Sequence, residues 1–171
     1  ISQVGFILLG FAVGGTYGMM GGVLYILAHA LAKSGLFYGV GLIEDVTGKS
    51  DLNAINGMLK ISPVLGVSMA LLAGSIVGFF PMIGFFAKLG VIVGAVENAG
   101  YFGIGAIIAA VFTIVYVVRF YNKLFFGEKT GKIKGISYTG LTVVFVFALV
   151  SLLLGIFIYF PVNYLTGNGG F

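Results

Sequence analysis

The sequence predicts an all-α protein that crosses a membrane several times, with about six spanning helices. Three observations carry this. Hydrophobic residues fill 60% of the 171 positions and charged residues only 8%, where a soluble domain carries about 25% charged residues. Mean hydropathy is +1.16. The apolar residues also fall in runs long enough for the roughly 20 helical residues that cross a hydrocarbon core. A water-soluble fold of this length has too little interior to hide so much apolar side chain, so lipid must solvate much of it.

Charge narrows the class further. The net charge is +4, but the basic residues are not spread along a face, so nucleic acid is not the expected partner. Five of the nine (Arg119, Lys123, Lys129, Lys132, Lys134) fall between two apolar runs, the pattern of a cytoplasmic loop. The absence of cysteine removes disulfides, thiolate metal sites and cysteine nucleophiles. The chain opens at Ile1 with neither the basic region nor the cleavage site of a signal peptide. It reads as a segment of something longer, or as one piece of a split subunit.

Residues 1–43 carry no charge before Lys33, yet one helix of that length would measure roughly 65 Å, twice the hydrocarbon core. The cluster Gly14-Gly15-Thr16-Tyr17-Gly18 is the expected break, giving helices over about 1–15 and 18–43. Residues 44–62 form a polar connection in which DLNAINGMLK suits a short interfacial helix. Residues 63–96 are again too long for one span. Gly78 and Pro81 supply the break, since proline lacks a backbone donor and clashes with the preceding turn. Helices follow over about 62–80, 82–97, 101–123 and 137–161, the last stopped by Pro161. If each break changes sides, the connections at 14–18, 78–81 and 124–136 share one side. The basic loop makes that side cytoplasmic and puts the C-terminus outside. Glycines four apart (Gly10, Gly14, Gly18, Gly22; Gly35/Gly39; Gly74/Gly78; Gly90/Gly94) predict close helix packing.

The candidate site is a set of polar groups at membrane depth. A charge near the bilayer centre survives where it is paired, hydrated or useful. Tyr25, His29 and Lys33 stand four apart and share one helix face. Lys33 lies about 15 Å from the nearer interface, farther than a lysine stem comfortably snorkels. One reading is a proton relay, because histidine titrates near neutrality. The other is a snorkelling lysine beside a satisfied core histidine. Lys88 follows Pro81 by two helical turns. Interrupted helices expose carbonyls and amides at depth, and transporters use them to bind ions. Its plain alternative is a snorkelling lysine on a short helix. Glu97 and Arg119 sit near helix ends, as candidates for lining an entrance.

Soluble-enzyme motifs fail. Gly48-Lys49-Ser50 resembles the tail of a phosphate loop, but Ile43 stands where that motif needs glycine. With one histidine, no H-E-x-x-H and no G-x-S-x-G, a zinc or serine active site has no parts. No catalytic residue, metal site or cofactor is expected in this chain, whether or not its parent complex is redox-driven.

Four strings in order carry a resemblance: Ser2-Gln3-Val4-Gly5; His29-Ala30-Leu31-Ala32-Lys33-Ser34-Gly35-Leu36-Phe37; Asp51 with Gly57-Met58-Leu59-Lys60 and Pro63; and Pro81 with Gly84-Phe85-Phe86-Ala87-Lys88. Together they closely resemble the antiporter-like family. That family comprises the proton-pumping membrane subunits of respiratory complex I, related membrane-bound hydrogenases and multi-subunit cation/proton antiporters. The resemblance implies about fourteen helices in a whole member, built on two inverted five-helix repeats, each with a broken helix and a half-channel. This chain is similar to the ninth to fourteenth: residues 1–136 as the second repeat and 137–171 as a closing helix and tail. The resemblance makes Lys88 the central lysine of the broken helix and puts His29 and Lys33 on the polar axis leading to it. The first repeat has no counterpart here. It is therefore an expected partner, with other membrane subunits, lipid, and protons or Na+ as the ions moved. The expected place is the cell membrane. The rival is a structural subunit whose polar groups only glue helices together.

Overall fold

A computed structural model describes residues 2–51, 55–128 and 135–166, with side chains to Asn163. The described residues form helices joined by short connections: α1 (Ser2–Val13), α2 (Gly15–Thr47), α3 (Met58–Ile61), α4 (Pro63–Val77), α5 (Ile83–Ala99), α6 (Tyr101–Phe125), α7 (Tyr138–Ile156) and α8 (Tyr159–Thr166). Of these, α2, α6 and α7 are each long and apolar enough to cross a membrane alone.

The first break falls where the glycine cluster predicts it, at Gly14, with φ 63° and ψ −151°. Beyond it α2 runs for 33 residues, roughly 50 Å and longer than the hydrocarbon core. It is the spine of the molecule. Its packing on α5 shows why small residues recur. A Cβ on Gly94 would lie 2.5 Å from the Gly18 amide nitrogen, and one on Gly90 3.1 Å from the Gly21 Cα. The two backbones touch, and dispersion replaces the hydrophobic drive that lipid does not supply.

Contacts along α2 fix the direction of the rest. Gly18 and Gly15 meet Gly94 and Asn98, while Gly35 and Gly39 meet Leu72 and Met69. Both α5 and α4 therefore run antiparallel to α2, and so parallel to each other. They are two halves of one path, interrupted at 78–82. This corrects the expected topology, in which 78–81 turned back at a membrane surface between separate third and fourth spans. Gly78, at φ 91°, ends α4 in a left-handed conformation that glycine tolerates. The chain then steps sideways and α5 resumes in the same direction. At 15 and 17 residues, neither half reaches about 30 Å alone.

The same logic regroups the connections. The Gly57 amide donates to the Phe126 carbonyl at 3.0 Å, so the connection after α2 and the one after α6 share one end of the molecule. Gly14 and the α5–α6 turn at Gly100 lie at the other, where Gly15 packs on Asn98. The expected grouping of 14–18 with 124–136 is therefore wrong. It counted the interruption as a change of side. Of the basic loop, Lys129, Lys132 and Lys134 lie outside the described residues.

Two helix ends also differ from expectation. Among the described residues of DLNAINGMLK, Met58, Leu59 and Lys60 are helical, in α3; residues 52–54 lie outside the described set. α7 stops at Ile156, short of Pro161. Pro161 instead sits in the first turn of α8, where a missing amide proton costs nothing. Ser137 caps α7 and Ser62 caps α4, each accepting a backbone N–H.

Two apolar clusters hold the bundle. One, near the Gly57 end, joins Ile43, Met58, Leu65, Met69, Leu124 and Phe125. The other gathers Phe6, Leu24, Tyr25, Ile83, Val91 and Val162 around the interruption. Outward-facing Phe112 and Ile104 remain exposed, as helices bathed in lipid tails require.

A lysine at an interrupted helix

The break between α4 and α5 creates the site. In a continuous helix the carbonyl of Val77 would accept from residue 81, but Pro81 has no N–H. Gly78 and Phe79 turn their amides back to Gly74 and Ser75, leaving the carbonyls of Ile76 and Val77 without helical donors. Lys88, in the second turn of α5 and only 4% exposed, fills the gap. Its Nζ donates to Ile76 O at 2.8 Å and Val77 O at 3.0 Å. The negative end of the α4 dipole faces the same ammonium. Phe6 and Tyr25 present ring faces at 4.9 and 5.8 Å, a further attraction for a cation. Among the described residues, the charge is thus held by backbone dipoles and π-faces.

Behind the lysine runs a hydrogen-bonded string. The buried Tyr25 hydroxyl donates to Gln3 Oε1 and lies 3.4 Å from Ile76 O, the carbonyl that Lys88 also uses. Gln3 Nε2 in turn donates to Tyr116 at 2.6 Å and to Thr113 at 3.2 Å. The string ends at a cavity of about 470 Å³ whose wall includes Gln3, Lys33, Phe37, Ser50, Ile76 and Tyr116. Ser50 lies at the Gly57 end and Ile76 beside Lys88. The cavity therefore extends from Ser50, near one end of the bundle, to Ile76, a neighbour of Lys88.

The structure brings together two of the expected residues and sets a third apart from them. Lys88 and Tyr25 meet at the break, and Lys33 stands in the cavity wall with its ammonium 5.2 Å from the Phe37 ring. His29, one turn from Lys33, is half-buried, and its Nδ1 is buried without a hydrogen-bond partner. Glu97 and Arg119 are exposed and are not among the cavity-lining residues. Pro81 and Gly78 make the break, as expected. Gln3 and Tyr116 were not read from the sequence as site residues. Gln3 did carry a signal, an amide three residues into an otherwise apolar helix, where a polar group needs a partner. Tyr116, on a continuous apolar helix, gave none.

These features define a polytopic, all-helical membrane protein with a lysine lodged at an interrupted span. Residues 1–113 match the family model described as the NADH:quinone oxidoreductase/Mrp antiporter transmembrane family; the chain belongs to that family, as its four strings anticipate. It is 33% identical over 131 residues to a Na(+)/H(+) antiporter protein of Alkalihalophilus pseudofirmus, covering 75% of this chain and 26% of that protein. It is 32% identical over 120 residues to an NADH-quinone oxidoreductase protein of Desulforudis audaxviator, covering 70% and 24%. The chain spans about a quarter of the length of these curated relatives. Among solved structures, chains of the Mrp complex from a Dietzia species and of respiratory complex I from Thermus thermophilus both superpose with a TM-score of 0.87 at 22% identity. They cover 95% of this chain and 39% and 36% of theirs. At that identity the likeness shows the fold, and both structures are multi-subunit membrane assemblies.

Proposed function

We propose that this chain is a proton-translocating half of an antiporter-like subunit within a multi-subunit membrane complex, and that Lys88 binds and releases the transported proton. One observation carries the reading: a buried lysine is held at a helix interruption by the freed carbonyls of Ile76 and Val77, and Ile76 is also one of the residues lining a cavity that Lys33 and Ser50 share. A proton entering that cavity reaches Lys33 in its wall and then the Lys88 site, with His29 one turn from Lys33 as a further exchange point. The family and its named relatives support protons, with Na+ as a further ion. The matched share of those relatives supports pairing with a first repeat, with residues 1–136 forming the second repeat and 137–171 closing it.

In the assembled complex, Lys88→Ala should lower proton transport into membrane vesicles at least a hundredfold while the subunits still co-purify. Lys88→Arg should restore the charge but not the rate, because a guanidinium does not release its proton in proteins. An assembled Lys88→Ala complex that pumps at the wild-type rate would leave only the structural-subunit reading.

The excess of basic residues after α6 supports a cytoplasmic placement of the Gly57 end. That puts the connection after α2 on the same side as Phe126, at the end of α6, and the end of α7 on the opposite side. Cysteines replacing Asp51 and Glu128 should then react with an impermeant thiol reagent from the cytoplasmic face. One replacing Tyr101 should react only from outside. Labelling of Asp51→Cys and Tyr101→Cys from one face would break both the orientation and the single interrupted path.

A further inference from the structure

Proton binding at Lys88 makes no use of the string behind it. Gln3 is 4% and Tyr25 1% exposed, and both are polar; Tyr25 meets Lys88 through its ring, which leaves its hydroxyl for other partners. A tyrosine hydroxyl has one proton to donate. Here it has two acceptors within reach, Gln3 Oε1 and the Ile76 carbonyl at 3.4 Å. That carbonyl already accepts from the Lys88 ammonium at 2.8 Å.

We propose that Gln3 is a positioning residue for Lys88 that acts through Tyr25, whose hydroxyl switches between the Gln3 amide and the Ile76 carbonyl as Lys88 gains and loses its proton. The proposal rests on the proton-carrying reading of Lys88 given above.

Competition for one oxygen drives the switch. A hydrogen bond from an ammonium is stronger than one from a neutral hydroxyl. While Lys88 is charged it holds Ile76 O, and the Tyr25 proton is directed to Gln3, the arrangement seen here. A neutral amine keeps two N–H donors, but its bond to Ile76 O is weaker than that of the ammonium, so the Tyr25 hydroxyl, already 3.4 Å away, becomes the better donor to that buried carbonyl. Rotation about the Tyr25 C–O bond supplies the donor and withdraws it from Gln3. No bond to hydrogen breaks in this step, and the transported proton does not pass through tyrosine. Gln3 Oε1 is left unfilled, while Gln3 Nε2 still binds the buried Thr113 and, in the cavity wall, Tyr116. The protonation state of a buried lysine is thereby expressed as the hydrogen bonding of a cavity-lining amide. Without Gln3, the Tyr25 hydroxyl has only Ile76 O to turn to and competes with Lys88 throughout the cycle.

The test uses the complete, assembled complex in vesicles. Tyr25→Phe keeps the ring against Phe6 and removes only the hydroxyl; Gln3→Met keeps the length and removes the amide. Each should slow transport roughly five- to tenfold, about the effect of one neutral hydrogen bond, without reducing subunit co-purification. The double variant should be no slower than the slower single one, because both changes disable one device. Infrared difference spectra between acid and alkaline states, with ring-labelled tyrosine, should show one hydroxyl changing acceptor, a band absent in both Tyr25→Phe and Lys88→Ala. If Gln3→Met reduces assembly, that band and the Tyr25→Phe rate decide the matter alone. Wild-type rates in Tyr25→Phe and Gln3→Met, a double loss equal to the product of the single losses, or a band that persists in Tyr25→Phe would overturn the switch. Transport retained by Lys88→Ala would instead remove the underlying reading, so the two failures are distinguishable.

Discussion

α2 and the α4–α5 path lie side by side, antiparallel, and cover nearly the same height, yet they carry charge at membrane depth in opposite ways. α2 is continuous. All its interior backbone groups are satisfied within the helix, so its polar side chains must find partners elsewhere. Lys33 finds a ring and a cavity wall; His29 keeps one buried nitrogen unpartnered. The α4–α5 path gives up its helical bonds at Ile76 and Val77 and offers those carbonyls to Lys88. An ammonium in a low-dielectric site needs oxygen dipoles around it. An unbroken helix has none to spare, and an interrupted one has. The break is the ligand, and the lysine is placed to use it.

The largest way to break that contrast is to close the geometry of the interruption. A Cβ on Gly84 would collide with the backbone carbonyl of Ser75, which cannot move aside as a side chain can. Gly84→Ala should destabilise the junction by about 3 kcal/mol or more and lower the yield of assembled complex, read by co-purification after mild heating. A complex as heat-resistant as wild type would mean that the two half-helices are not locked at that point.

A smaller effect is expected on the continuous helix. Lys33→Ala should slow transport by about tenfold, less than the loss at Lys88, because the cavity still reaches Ile76 without it. His29→Ala should slow it less again. The two residues sit one turn apart, so charging one raises the cost of charging the other, and their double-mutant cycle should be non-additive by about 0.5 kcal/mol or more. Strict additivity would return His29 to the status of a packing residue.

The smallest effects belong to Glu97 and Arg119. Both are exposed, where a single charge contributes little because solvent screens it. Glu97→Gln and Arg119→Gln should leave the transport rate within about twofold of wild type. A tenfold loss at either would extend the ion path beyond the cavity described here.

Much of this was legible in the sequence, and for identifiable reasons. Length arithmetic located the breaks at Gly14 and at Gly78–Pro81, because a bilayer fixes how long an apolar helix can be. Depth drew attention to Lys88 and Lys33, because a charge in lipid needs a partner; the structure shows those of Lys88 to be two main-chain carbonyls. Direction was not legible. Gly78 and Pro81 signal that a helix stops, but whether the chain turns back or carries on depends on what α5 packs against, here the glycines of α2. The end of α7 was misplaced for a related reason. Proline marks where a helix cannot continue from before, yet it is equally at home where a new one begins, as Pro161 is. The Gln3–Tyr25–Tyr116 string was invisible because its members lie on three helices, α1, α2 and α6, and only tertiary packing brings them together.

The partners that hold Lys88 are main-chain oxygens, and this has a genetic consequence. No codon encodes them. Replacing the side chains of Ile76 or Val77 leaves both carbonyls in place, so an alanine scan of this region would register the lysine and pass over its two strongest contacts. The side chains at Ile76 and Val77 can therefore change without removing either acceptor, so long as the chain still breaks there. Probing the other half of the interaction calls for chemistry that edits the backbone, such as an ester in place of an amide, rather than for another amino acid.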